Sequence, residues 1–113
     1  MTPTMTHRWE SKRTKESRQV EAVLKQAGFD RVDAYRYNSA SIRVRVIDQR
    51  FEGLSIEQRY GMVEPVLEQL PERTQAVIIS LYTFTQSELH ETPKTLRQFM
   101  FNTEFDHPSP SRL

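Results

Sequence analysis

The strongest constraint on the fold is a stretch of alternating apolar and polar side chains over residues 32–47. Its alternating apolar positions are Tyr35, Tyr37, Ile42, Val44 and Val46. A period of two is typical of half-buried strands, and the Asn-Ser-Ala sequence at residues 38–40 supplies turn formers, so the stretch predicts an antiparallel hairpin. We expect its aliphatic face to join the core. The other face would present Arg36, Arg43 and Arg45 to solvent, with both tyrosines pointing away from the arginines.

The segments on either side of this hairpin have a helical period. A first apolar stripe, with the i, i+3, i+4, i+7 spacing of an amphipathic helix, is formed by Val20, Val23, Leu24 and Ala27. Gly28 follows it, at the position where a left-handed helix cap favours glycine. After the hairpin, Ser55 and Gln58 form a capping box that starts a second helix. Pro65 lies past the first turn of that helix, so we expect it to kink the helix or to split it in two.

Residues 76–84 are rich in β-branched and aromatic side chains and contain no glycine or proline, which indicates a further strand. Thr85 and Glu88 then form a second capping box, which predicts a short last helix. The predicted order is α-β-β-α(α)-β-α, and strands and helices mix without regular βαβ alternation. The fold class is therefore α+β, with a small three-stranded sheet and helices packed on one of its faces.

The chain of 113 residues has the length of one ordinary domain. We expect a disordered basic leader over residues 1–15, the folded domain over residues 16–91, and a partly disordered C-terminal extension over residues 92–113. The longest apolar run, residues 76–79, is far too short to span a membrane. The polar first dozen residues lack the apolar region of a secretory signal peptide, and we expect a cytoplasmic protein.

The residues that usually carry catalysis are scarce. The chain has no cysteine, and its three histidines, His7, His90 and His107, are far apart in the sequence. We therefore predict no metal site, no cofactor and no catalytic residues. An enzymatic alternative would need a cleft that brings together Asp48, Glu52 and Arg59.

Two kinds of binding surface remain open. Five arginines lie on or near the hairpin, namely Arg36, Arg43, Arg45, Arg50 and Arg59. Their side chains could pair with phosphates, or they could simply be solvated. In the last strand, alternation places Ile78, Tyr82 and Phe84 on one face. If helices cover only the opposite face, these three side chains form an exposed apolar patch that a partner could cover, and if the chain termini fold over them they belong to the core.

Residues 42–89 resemble the BolA-like proteins. Residues 42–54 read IRVRVIDQRFEGL and are followed by SIEQRYGMVEPVLEQL. The family pattern is a strand, then Phe-Glu-Gly, a serine-initiated helix with Gln-Arg, and a Val…Leu stripe. The matching positions are Val44, Phe51, Glu52, Gly53, Ser55, Gln58, Arg59, Val63 and Leu67. Further on, LYTFTQSEL resembles the family's closing strand and the start of its last helix.

This resemblance implies a KH-like α+β fold that lacks a GxxG loop. It also implies association with monothiol glutaredoxins, shared iron–sulfur clusters, and DNA or RNA. The sequence departs from the family at Tyr60, where a helix histidine is usual, and at Gly61, where an arginine follows. A histidine that commonly opens the last strand falls at about Val77, with Gln75 nearby. Tyrosine, valine and glutamine are not normal cluster ligands at these positions, so we expect the fold to carry over without a metal cluster.

We therefore expect a non-enzymatic binding or adaptor protein. The first hypothesis is contact with a protein partner, or with a second copy in a homodimer, through Phe51, Gly53, Tyr60, Ile78, Tyr82 and Phe84. The alternative is binding of RNA or DNA through the five arginines and the basic leader. We expect no membrane partner. The sequence leaves open the biological process, the identity of a partner and the oligomeric state.

Overall fold

The computed structural model describes residues 8–90 together with Thr103, Phe105 and Pro108. The regular elements are α1 (Lys15–Gln26), β1 (Arg31–Asn38), β2 (Ser41–Ile47), α2 (Ile56–Leu67), α3 (Glu72–Ala76), β3 (Ile78–Phe84) and α4 (Gln86–His90), with 3₁₀ helices at Arg8–Lys12 and Gln49–Phe51. The α+β class and the predicted order of elements are confirmed. The third strand begins two residues later than predicted, because residues 76 and 77 complete α3 and its C-terminal cap.

The three strands form one sheet in the order β1-β2-β3. The hairpin pairs β1 and β2 antiparallel, and the crossover through α2 and α3 brings β3 parallel to β2. β1 and β3 are therefore the two edges of the sheet. The β3 strand contains an irregularity: Ile42 lies opposite Ile78, but Arg43 lies opposite Ser80, so that Ile79 is an extra, bulged residue.

The helix boundaries follow from local sequence signals. Both predicted capping boxes are present, at Ser55 with Gln58 and at Thr85 with Glu88, where each side chain pairs with the other residue's backbone N–H. Gly28 ends α1 with a φ of +98°, which a side chain would disfavour. Pro65 does not split α2, which continues to Leu67. The proline lies close to the helix C-terminus, so the one backbone hydrogen bond that it removes does not interrupt the helix.

The main core lies between the sheet and helices α1 and α2. Its buried side chains come from both helices, from the hairpin and from the segments that follow them: Val20, Leu24, Phe29, Val32, Ala34, Ile42, Val44, Val46, Phe51, Val63, Leu67 and Leu70. The aliphatic face of the hairpin thus joins the core, as predicted. Ile78 and Leu81 of β3 pack against the same cluster.

The opposite face of the sheet, called the outer face below, is also covered. Trp9 and Phe105 are buried there with Tyr35, and their ring centroids lie 5.0–6.1 Å apart. The sequence predicts a disordered leader over residues 1–15, but residues 8–15 contain a 3₁₀ helix and the start of α1. Burying a large indole offsets the entropy lost by ordering a short segment. Residues 1–7 and most of the predicted C-terminal extension lie outside the described residues.

The hairpin register changes the predicted composition of its two faces. Tyr35 lies directly opposite Arg43, so the tyrosine and the arginine share the outer face, where we had expected them on opposite faces. Arg36 lies opposite Ile42, on the helix side of the sheet. The register shifts between Arg36 and Asn38, next to the turn, and alternation alone does not predict such a shift.

Candidate functional site

The most buried of the five predicted nucleic-acid-binding arginines is Arg45, whose side chain is only 3% exposed. Its Nη2 donates to Asp33 Oδ2 at 2.8 Å. Its guanidinium carbon lies 4.4 Å from the centroid of the Phe105 ring. A buried cation with a carboxylate partner and aromatic neighbours serves to hold the outer face together. Arg45 is therefore not part of a solvated arginine face.

Arg59 is the second buried arginine, and it ties α2 to the end of the sheet. Its Nη1 donates to the Thr83 carbonyl at 3.0 Å and to Glu88 Oε1 at 2.8 Å, and its Nε donates to the Leu54 carbonyl at 3.1 Å. Burial alone would raise the pKa of Glu88. Hydrogen bonds from Arg59 and from the Thr85 backbone, with the arginine charge, outweigh that effect and lower the pKa.

Each of the other three arginine side chains contacts a nearby residue of the same molecule. Arg36 donates to the Ser39 carbonyl in the hairpin turn at 3.2 Å. The guanidinium carbon of Arg43 lies 3.6 Å from the centroid of the Tyr37 ring, and Arg50 Nη2 donates to Asp48 at 2.9 Å. Arg43 and Arg45 thus share the outer face, where both contact its aromatic side chains, whereas Arg36, Arg50 and Arg59 contact other partners elsewhere.

The residues predicted to contact a protein partner are also dispersed. Phe51 and Phe84 are buried, so a partner could not reach them without unfolding. Gly53 adopts a φ of +77° in the turn before α2. Because Ile79 is bulged, Ile78 packs on the helix side of the sheet while Tyr82 packs on the outer face against Trp9, Tyr35 and Phe105. The predicted patch of Ile78, Tyr82 and Phe84 on one face therefore does not exist.

Tyr60 and Ile78 do come together, in a groove between α2 and the free edge of β3. This α2–β3 groove has a volume of about 380 Å³. Its lining residues are Tyr60, Glu64, Leu67, Glu68, Gln75, Ile78, Ile79 and Leu81. Ile79 is 66% exposed, the highest exposure of a large apolar side chain among the described residues. Sequence reasoning missed Ile79, because strict alternation gives no sign of the bulge that turns it outward.

Side chains of α2 also donate hydrogen bonds to backbone carbonyls at this edge of the sheet. The Phe84 carbonyl points toward β2, because it accepts a hydrogen bond from the backbone N–H of Asp48 just after that strand. Carbonyls alternate in direction along a strand, so every second residue of β3 directs its carbonyl away from β2. The Tyr60 hydroxyl donates to the Leu81 carbonyl at 2.9 Å, and Arg59 donates to the Thr83 carbonyl. These two bonds satisfy edge carbonyls that would otherwise be open to another strand.

The α2–β3 groove carries negative charge. Glu64 in α2 and Glu68, the C-cap of that helix, are exposed side chains one helical turn apart, and both line the groove. Neither takes part in an ion pair among the residues that the structure describes. Gln75 closes one end, where its amide donates to the Leu70 carbonyl at 2.6 Å and to the Glu68 carbonyl at 3.2 Å. The groove is therefore partly apolar, with an acidic wall.

Two of the three residues that an enzymatic alternative would bring together are paired with other residues, since Asp48 pairs with Arg50 and Arg59 pairs with Glu88. No group of three or more potential metal ligands occurs within residues 8–90 or at the three described positions beyond them. His7 and His107 lie outside the described residues. In the described part of the chain no helix has both the length and the apolar character to cross a membrane.

The element order, the mixed sheet and the two helices packed on it define a BolA-like α+β fold. The solution structure of the BolA1 protein from Mus musculus is similar to this chain, with a TM-score of 0.55. The similarity covers 85% of this chain and 81% of that chain, at 20% sequence identity. The predicted resemblance is thus confirmed at the level of the fold. No protein-family model and no curated protein sequence matches the chain.

Proposed function

We propose that this protein is a non-enzymatic protein-binding module whose partner occupies the α2–β3 groove. The observation that carries the proposal is Ile79, a large apolar side chain 66% exposed beside a groove of about 380 Å³. A surface of this kind gains free energy when a partner covers it, at roughly 25 cal/mol per Å² of apolar area removed from water. It also lies between two rigid elements, α2 and β3, so a partner would meet a preformed surface.

The same geometry favours a protein partner over the nucleic-acid alternative. Nucleic-acid binding needs cations that are free to neutralise phosphates. Arg45 and Arg59 are buried in ion pairs with Asp33 and Glu88, and each of the remaining three predicted arginines has a partner within the molecule. The groove itself carries carboxylates, which repel a phosphate backbone. Tyr35 and Tyr82, which could stack on bases, lie under Trp9 and Phe105.

The experiment is a selection of displayed random peptides on the full-length protein, with Ile79→Asp as the test variant. Ile56→Asp is the matched control, because Ile56 is 47% exposed but does not line the groove. We expect enriched peptides to bind the wild-type protein and the control, and to lose most of their affinity for Ile79→Asp. Thermal unfolding by circular dichroism verifies that both variants fold.

A parallel gel-shift assay with single-stranded RNA across a salt series tests the alternative. RNA binding that weakens steeply with salt, falls on Arg43→Gln and is unaffected by Ile79→Asp would overturn the protein-binding proposal. Peptide binding that is equal for Ile79→Asp and Ile56→Asp would also overturn it, because the groove would then not be the binding surface.

A further inference from the structure

The acidic wall of the α2–β3 groove indicates the chemistry of its occupant. Glu64 and Glu68 lie beside the apolar side chains of Leu67 and Ile78 in the same groove. Each exposed carboxylate attracts a cation only modestly, but two of them beside an apolar surface favour a ligand that carries both a cation and an apolar group. Both carboxylates lack an ion-pair partner among the described residues. The groove therefore offers apolar contact and negative charge together.

The edge of β3 indicates how the occupant is held. A peptide that added itself as a strand would need the outward carbonyls of β3 as acceptors. The Leu81 and Thr83 carbonyls already accept from Tyr60 and Arg59. A strand added along this part of β3 would compete with both donors, one of which belongs to the buried Arg59 ion pair. Side chains entering the groove from the open side do not meet this obstacle.

We infer that the partner presents an apolar side chain next to arginine or lysine, and that side-chain contacts hold it in the α2–β3 groove. The apolar side chain covers Ile79, and the cation pairs with Glu64 and Glu68. This inference rests on the proposed function, since it names the chemistry of the partner at the same groove. A second copy of the chain meeting groove to groove is disfavoured, because it would bring four of these carboxylates together.

The probes are two labelled peptides that share alternating leucines and differ only in the residues between them, which are arginine in one peptide and glutamate in the other. Binding to the full-length protein is measured by fluorescence anisotropy. We expect the arginine peptide to bind roughly tenfold more tightly than the glutamate peptide, a difference typical of two partly exposed ion pairs. The double variant Glu64→Gln/Glu68→Gln should abolish that difference. Glu57→Gln, an exposed α2 residue outside the groove, is the matched control and should leave it unchanged.

A third peptide tests the mode of binding. It is the arginine peptide with alternate backbone amides N-methylated, which cannot donate the hydrogen bonds of an added strand. We expect it to bind within about twofold of the parent peptide, because the side chains are unchanged. Loss of most of the affinity, whether the odd-numbered or the even-numbered amides of the peptide are methylated, would overturn the side-chain mode.

The remaining outcomes separate this inference from the proposed function. If both charge types bind equally and both are lost on Ile79→Asp, the groove binds proteins but the inferred chemistry is wrong. If binding of the peptides is insensitive to Ile79→Asp, both the inference and the proposed function are wrong. Sedimentation of the protein alone supplies a further test. Self-association that disappears in Ile79→Asp would make a second copy the occupant and overturn the inference.

Discussion

At the scale of single residues, two glycines on either side of the α2 N-terminus illustrate opposite roles. Gly53 has a φ of +77°, a conformation that L side chains rarely adopt, whereas Gly61 lies in the interior of α2 with helical geometry. A Cβ built on either residue meets no atom within 4 Å. Space is therefore not a factor at either position, and only the backbone conformation distinguishes them.

This difference makes a paired prediction. We expect Gly53→Ala to lower the free energy of unfolding by about 1–2 kcal/mol, because a side chain is strained in the left-handed region. Gly61→Ala should raise it by about 1 kcal/mol, since alanine loses less entropy than glycine on entering a helix. Urea unfolding of both variants measures the two changes. Changes of the same sign would show that the backbone conformations of the two glycines are not those described.

Tyr60 is the residue that the sequence resemblance would place at the position of a helix histidine in the BolA-like pattern. Here its ring lines the α2–β3 groove, and its hydroxyl reaches across to the Leu81 carbonyl at the edge of β3. An imidazole is shorter than a phenol and could not reach the same carbonyl from an unchanged backbone. The tyrosine therefore suits this edge of the sheet in a way that histidine would not.

At the scale of elements, Asp48 holds together the end of β2, the following 3₁₀ helix and the turn before β1. Its carboxylate accepts from the backbone N–H of Asp30 at 3.1 Å and of Arg50 at 2.8 Å, and also from the Arg50 side chain. The hydrogen bond from the Arg50 side chain is the main cause that lowers the pKa of Asp48. Burial opposes it, and the two backbone donors add to it.

The lowered pKa predicts how stability depends on pH. A carboxyl whose pKa is lower in the folded state stabilises the fold above its unfolded pKa, and this contribution is lost as the pH falls through the folded pKa. We expect Asp48→Asn to cost about 1–2 kcal/mol near neutral pH, discounted because the Arg50 side chain is half exposed. The difference from wild type should shrink as the pH falls below about 4.

Urea unfolding of both proteins between pH 2 and 7 checks this expectation. Glu57→Gln is the control for removing one charge, because no hydrogen bond of its side chain is found among the described residues. A cost of Asp48→Asn that stays constant down to pH 2 would contradict a role for the ionised carboxylate.

Elements differ in how far the sequence alone could predict them. The capping boxes at Ser55 and Thr85 involve residues three positions apart, so local sequence predicts them well. The register of the hairpin depends on the irregularity next to Asn38, and the face of Ile79 depends on a bulge in β3. A shift of one residue moves a side chain to the other face of the sheet. The candidate site depended on that bulge, and for this reason it was only partly predictable.

At the scale of the whole molecule, the sheet has two unlike layers on its faces. One is the aliphatic layer of α1 and α2, whose periodicity is visible in the sequence. The other is the aromatic layer on the outer face, formed by residues from distant parts of the chain, with Trp9 and Phe105 meeting at a centroid distance of 5.2 Å. No local pattern connects two such residues, so the sequence left open whether this face is exposed or covered by the chain termini, and the structure has a second core there.

The single tryptophan of the chain makes this aromatic layer measurable. Phe105 contacts Trp9, Tyr35 and Tyr82, and its removal would open a cavity among them. We expect Phe105→Ala to shift the Trp9 emission to longer wavelength and to lower the free energy of unfolding by about 3–5 kcal/mol. Thr103→Ala is the control, because Thr103 is a nearby exposed residue and should change neither quantity.

A double-mutant cycle then tests whether both ends of the chain form one layer. Trp9→Ala and Phe105→Ala remove neighbours that share the same contacts, so their combined cost should be smaller than the sum of the single costs. Strictly additive costs, or an emission spectrum of Phe105→Ala identical to that of Thr103→Ala, would contradict the packing of the two rings. A subadditive cycle would mean that the boundaries of the folded unit extend from Trp9 to Phe105, because residues at both ends then contribute to a single cooperative core.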